Sequence, residues 1–145
     1  TLFKIFEHDY SKKYISKFLN IIEVKPNQTI KFENYQIDVF EMKHSCSPAL
    51  GYRLQKTDCS KTVGFTGDTC WCDGLLELVK KSDILFADSS SLKKNNSHLC
   101  VEEILQLKKM FPQKPIYSVH VTDEILNSFN TKLNIPACQE VVNIE

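Results

Sequence analysis

Apolar and polar positions alternate with a period of two through TIKF at 29–32 and through YQIDVFEMKH at 35–44. With Asn34 as the turn residue between them, the two runs predict a β-hairpin. The alternation puts Phe40, Met42 and His44 on one face and leaves His44 at the strand end. LGYRLQ, after Pro48, and KTVGFTGDT, after the polar turn KTDCS, predict two further strands, the second ending in a Gly-Asp-Thr corner. The period then changes. DGLLELVKK at 73–81 predicts a helix, with Asp73 as its cap and Leu75, Leu76 and Val79 as its buried stripe. DILFADSS is a nearly continuous apolar run of the kind buried on both faces of a sheet. HLCVEEILQLKKMF, led by His98, predicts a helix with Val101, Ile104, Leu105 and Leu107 inward. PIYSVH reads as another buried strand and TDEILNSF as a short helix. Toward the ends, LFKIF at 2–6 reads as a strand or loop end, 10–20 as an amphipathic helix, IIEV at 21–24 as a short strand, Pro26-Asn27 as a turn, and ACQEVVNI at 137–144 as a last strand. Strands and helices alternate through the second half, which makes the fold class α/β.

The 145 residues fit one domain, 1–145, with enough apolar content for a real core. Lysine plus arginine number 18, as do aspartate plus glutamate, which argues against a strongly basic nucleic-acid platform. No apolar run is long enough for a bilayer span, so no membrane partner is expected. The cysteines at 46, 59, 70, 72, 100 and 138 form no compact disulfide framework, and CWC at 70–72 is not a CxxC motif. They read as small buried hydrophobes in a reduced, cytoplasmic chain. The chain starts TLFKIF without an initiator methionine, and the expectation is a fragment of a longer protein.

Four residues carry candidate chemistry: His44, Asp68, His98 and His120 all sit where apolar runs hand over to loops. A carboxylate at a glycine corner can bridge two metal ions, and neutral imidazoles suit zinc. A histidine leading a helix can donate a proton. Taken alone, each is more often a turn former or a strand-end side chain. His8 lacks supporting context and reads as surface.

Their order changes the weights. HSCSPALGYRL at 44–54, FTGDTCWCDGLLELVKKSDILFADSS at 65–90, SHLCVEE at 97–103 and PIYSVHVT at 115–122 closely resemble the carboxy-terminal half of the metallo-β-lactamase superfamily, nearest to its ribonuclease Z-like branch of metal-dependent hydrolases. The resemblance implies half of a four-layer αββα sandwich, one mixed sheet with helices on its outer face. It implies a centre of two divalent metals, commonly Zn2+, whose hydroxide attacks an ester or phosphodiester. It casts His44 as a ligand of the first metal, Asp68 as the bridging carboxylate, His120 as a ligand of the second metal, and His98 as the proton donor. Asp88 stands where relatives often place glutamate and reads as support for His98 or a ligand. Trp71 reads either as a substrate-binding residue at the cleft rim or as packing against the helix at 73–81.

The chain also departs from the family pattern. The His-x-His-x-Asp-His signature has no counterpart here, so the ligand set is incomplete and an amino-terminal half is expected to supply the rest. The strands around KTDCS are joined by a few residues, where ribonuclease Z enzymes carry a long transfer-RNA-gripping insertion, and His98 sits in HLCVEE instead of a His-Ser-Thr pattern. The expected function of the complete protein is a metal-dependent hydrolase acting on a small-molecule or nucleic-acid phosphodiester. Ribonuclease Z-like transfer-RNA processing and a non-catalytic scaffold are the alternatives, and a homodimer is compatible with the sequence.

Overall fold

The computed structural model describes residues 22–137 and 140–142. Six strands form one mixed sheet in sequence order: β1 (Thr29–Phe32), β2 (Tyr35–Met42), β3 (Ala49–Lys56), β4 (Thr62–Phe65), β5 (Ile84–Asp88) and β6 (Ile116–Val119). β1 to β4 pair antiparallel, and β4, β5 and β6 pair parallel. Antiparallel neighbours need only tight turns, whereas the parallel pairs need helical crossovers. These are α1 (Asp73–Lys81), between β4 and β5, and α2 (Val101–Met110), between β5 and β6; α3 (Asp123–Phe129) follows β6.

Register decides which face each residue serves. Phe40 and Met42 of β2, Leu85 and Ala87 of β5 and Ile116 of β6 form the core with Leu75, Leu78 and Val79 of α1, Ile104 and Leu107 of α2, and Ile125 of α3. The helices therefore lie on one face, the α/β arrangement expected. On the opposite face Phe65, Phe86 and Tyr117 stack across β4, β5 and β6 at centroid separations of 5.2 Å. Leu54, Val63, Phe65 and Phe86 line an open groove of about 490 Å³ there, bordered by Pro136 and Val142.

Close approach fixes α1 to the sheet. A Cβ added to Gly74 would lie 1.8 Å from the Glu41 carbonyl oxygen, so only glycine fits the second position of the helix. The last carbonyls of α1 are held by cations: Arg53 Nε donates to Lys81 O at 2.9 Å, and the Lys114 amine donates to the carbonyls of Val79, Lys80 and Ser82. Burial pushes the Lys114 amine below its ordinary pKa, against the charge of Asp83.

Several local expectations need correction. Residues 22–24 are not a strand; among the described residues the first strand starts at Thr29. Asn34 lies in the turn of the first hairpin as expected, beside Glu33, which takes φ 51. The α1 cap position is Cys72, with Asp73 inside the helix. Leu78, not Leu76, completes the α1 stripe, because it reaches the space above Gly51. Glu103, not Leu105, is buried on α2, because its carboxylate accepts the Cys100 N–H at 3.0 Å and closes the first turn. The described part of 137–144 is not a strand. The expectations for 2–6 and 10–20 lie outside the described residues. Cys70 and Cys100 are buried and burial pushes both thiols up, but Cys46 is exposed. Among the described residues there is no disulfide, and no helix is long and apolar enough to cross a membrane.

Candidate metal centre

Because β4, β5 and β6 are parallel, their carboxyl ends open on one edge of the sheet, where open α/β sheets place their ligands. After β4 the chain turns at Thr66–Thr69. Gly67 takes φ 60, and a Cβ there would lie 2.9 Å from Leu50 O. The turn leaves Asp68 exposed. Thr66, fully buried, accepts the Asp88 N–H at 2.9 Å and donates to Gly67 O at 2.7 Å. Thr69 exchanges hydrogen bonds with the backbone of Lys43, both at 3.2 Å, which ties the corner to the segment leading to His44.

Asp88, at the end of β5 and 1% exposed, is the hub. Its Oδ2 lies 2.8 Å from His98 Nδ1 and accepts the Thr69 N–H at 3.2 Å. Its Oδ1 lies 3.3 Å from His120 Nδ1 and accepts the Ser90 N–H at 3.2 Å. Asp68 Oδ1 approaches the same His120 Nδ1 at 3.1 Å. A buried carboxylate needs such donors, since no water replaces them. Nδ1 of His98 is hydrogen-bonded to Asp88, so a neutral ring carries its proton there and leaves Nε2 free, while Nδ1 of His120 faces both aspartates within 3.3 Å. His120 itself has φ 56, an uncommon conformation for a non-glycine residue, which turns its ring back from the end of β6 toward both aspartates.

One ligand atom each from Asp68, Asp88, His98 and His120 lies within 4.8 Å of the others. Two carboxylates and two imidazoles, without a thiolate, are a donor set that fits a divalent cation. His44 stands beside this group. Its ring is 5.0 Å from that of His98, which in turn is 5.4 Å from that of His120. Its Nδ1 accepts the Cys46 N–H at 3.0 Å, so a neutral ring carries its proton on Nε2. Ligation through Nε2 requires that proton to leave and the Cys46 bond to be given up. Beyond His44 lies an open polar cleft of about 540 Å³ walled by Glu41, Lys43, Ser47, Asp73 and Glu77. Trp71 is partly buried and packs against the helix-side core.

Of the residues singled out in the sequence, the fold gathers Asp68, His98 and His120, with His44 against the ring of His98. Asp88 stands against His98, as expected from the sequence, and its additional approach to His120 was not foreseen.

The family model described as anti-Pycsar protein Apyc1 matches residues 4–136. The chain belongs to the Apyc1 family. No curated protein matches this Apyc1-family chain in sequence. In structure it is similar to the metallo-β-lactamase fold protein YhfI from Bacillus subtilis, at 17% identity and a TM-score of 0.63, covering 88% of this chain and 58% of that one. It is similar to the short form of human tRNase Z at 16% identity and a TM-score of 0.60, covering 80% and 46%. A diphosphatase of the PhnP family matches at 21% identity and a TM-score of 0.65, covering 88% and 48%. These likenesses establish the metallo-β-lactamase fold, and the chain spans about half the length of each.

Proposed function

We propose that the complete protein is a metal-dependent hydrolase that cleaves a small phosphodiester. The observation that carries this is the convergence of Asp68, Asp88, His98 and His120 within 4.8 Å at the carboxyl ends of the parallel strands. The family's name supports an anti-Pycsar role, and two structural neighbours are named for work on phosphate esters or RNA.

Two divalent cations, when bound, would supply an activated water and stabilise charge on the phosphoryl oxygens. Asp68, His120 through its Nε2, and His44 once its tautomer changes are the residues of this chain that would hold the cations. Nδ1 of His120 lies 3.1 Å from Asp68 Oδ1 and 3.3 Å from Asp88 Oδ1. His98, steered by Asp88, would act as the acid in its doubly protonated form: Nδ1–H stays on Asp88, and the Nε2 proton, taken up from solvent, passes to the departing oxygen as the phosphorus–oxygen bond breaks. The remaining ligands come from another segment of the protein or a partner chain, since these residues alone cannot saturate two cations.

Metal analysis of the complete protein is expected to find about two divalent ions per chain, as two-metal hydrolases hold. Asp68→Ala is expected to lower that number and abolish hydrolysis of a panel of cyclic and linear nucleotide phosphodiesters. Unchanged metal content and turnover in Asp68→Ala would refute the assignment. A complete protein that takes up no metal would favour the scaffold reading. The likeness to tRNase Z favours a second reading, transfer-RNA processing, but the link from β3 to β4 holds only residues 57–61 and the charge is balanced. A salt-sensitive complex with precursor transfer RNA would revive it.

A further inference from the structure

We propose that Asn95 is a positioning residue for His98, a clasp whose side-chain amide holds the proton donor in place. The inference rests on His98 acting as the acid, as proposed above. The loop from Ser91 to Cys100 leaves the end of β5 and returns to α2. Its base is zipped: Ser91 N donates to Leu99 O at 3.3 Å, and Val101 N donates to Ser91 O at 3.1 Å. Between these anchors Leu92, Lys93, Lys94, Asn95 and Asn96 are all exposed, so no packed side chain sets the loop's shape.

Asn95 does so instead. Its Oδ1 accepts the backbone N–H groups of Ser97 at 2.7 Å and His98 at 2.8 Å. Its Nδ2 donates to Ser91 Oγ at 2.8 Å, and that hydroxyl donates to Lys93 O at 2.6 Å. One amide thus joins the outgoing arm of the loop to the returning arm at His98. Asn and Gln carry acceptor and donor side by side on one planar amide, and Asn has the shorter reach. The imidazole is then fixed twice: at its backbone by Asn95 and at its ring by Asp88 Oδ2. With Asp88 alone, the ring keeps a hinge about a single bond. A general acid works only within hydrogen-bond reach of the leaving oxygen, and small misplacements cost rate steeply.

The test uses the complete protein and two diesters of thymidine 5′-monophosphate. The p-nitrophenyl ester loses a stable phenolate and needs no proton. The methyl ester loses methoxide, which must be protonated as it leaves. His98→Ala is expected to lower kcat on the methyl ester by about 10²–10⁴-fold and to spare the p-nitrophenyl ester. Asn95→Ala is expected to lower kcat on the methyl ester by about 10-fold with KM unchanged, again sparing the p-nitrophenyl ester, since a loosened acid keeps part of its effect. Asn95→Asp, which keeps the acceptor, should recover most of that loss. If His98→Ala shows the split and Asn95→Ala shows none, or an equal loss on both esters, the clasp is overturned. If His98→Ala shows no split, the acid role itself falls. Amide hydrogen exchange at His98 gives a readout apart from turnover: Asn95→Ala should accelerate it, and an unchanged rate overturns the clasp.

Discussion

His120 carries two burdens in one residue, a ring between two aspartates and a backbone at φ 56. An L-residue in this left-handed region costs roughly 1–2 kcal/mol, and glycine escapes that cost. His120→Gly is therefore expected to be more stable than His120→Ala by about 1 kcal/mol in urea denaturation, while both lose the same ring. Equal stabilities would mean the backbone relaxes once the ring is gone. Asp88 gives the opposite case, a side chain under load on an ordinary strand. Asp88→Ala strips the Thr69 and Ser90 N–H groups and both imidazoles of a shared acceptor at a site 1% exposed, and about 1–3 kcal/mol should be lost for a buried donor left unpaired. Thermal melts of wild type and variant check this. Asp68, His98 and His120 were legible because each ends or leads an apolar run. Asp88 beside His98 was legible from the resemblance, but its reach to His120 was not, since that depends on how three loops meet. Asn95 was invisible for a similar reason: KKNN looks like solvated surface, and no periodicity distinguishes a clasp from an ordinary polar side chain.

The helices and strands owe their placement to a few close contacts. α1 begins at Asp73 because Gly74 lets the helix pass the Glu41 carbonyl. Gly74→Ala is expected to cost about 1–3 kcal/mol or more by overpacking, although alanine is the better helix former. A neutral effect in chemical denaturation would show that α1 can slide. Where β4 begins, Asp83 accepts Thr62 N at 2.8 Å and Thr62 Oγ at 2.7 Å. The Thr62 hydroxyl holds the Asp83 carboxyl below its ordinary 3.8, against partial burial. A carboxyl lowered on folding contributes stability that is fully present above the unfolded value, and loses it as pH falls through the folded one. The acid limb of the stability curve should therefore start below about pH 4, and Asp83→Ala should flatten it by removing that dependence. Strand and helix limits were legible through this stretch because period, glycine and polar turns agreed. The faces were less so. Leu76 and Leu105 have helical spacing as good as that of Leu78 and Glu103, and tertiary contact chose between them. IIEV is apolar and β-branched, yet no neighbouring strand pairs with residues 22–24.

At the scale of the molecule, every described helix lies on one face, and the stack of Phe65, Phe86 and Tyr117 lies on the other. Phe65 is 40% exposed and Tyr35 39%, a large apolar surface for a sheet with the opposite side sealed. The chain is accordingly expected to bind a hydrophobic dye, and Phe65→Ser with Tyr35→Ser should reduce that binding. The overall α/β order was legible because it is set by connection lengths, which a sequence displays openly.

Phe86 and Asp88 share one side of β5, two positions apart, while Leu85 and Ala87 point to the helices. The buried carboxylate is thus locked to the reading frame of a strand hemmed in on both flanks. One extra residue inserted before Phe86 would swap the sides downstream, sending Asp88 into the oily layer beneath α2 and an alanine to the edge where the histidines gather. Chemistry at this edge can evolve by trading side chains, but not by changing the length of β5.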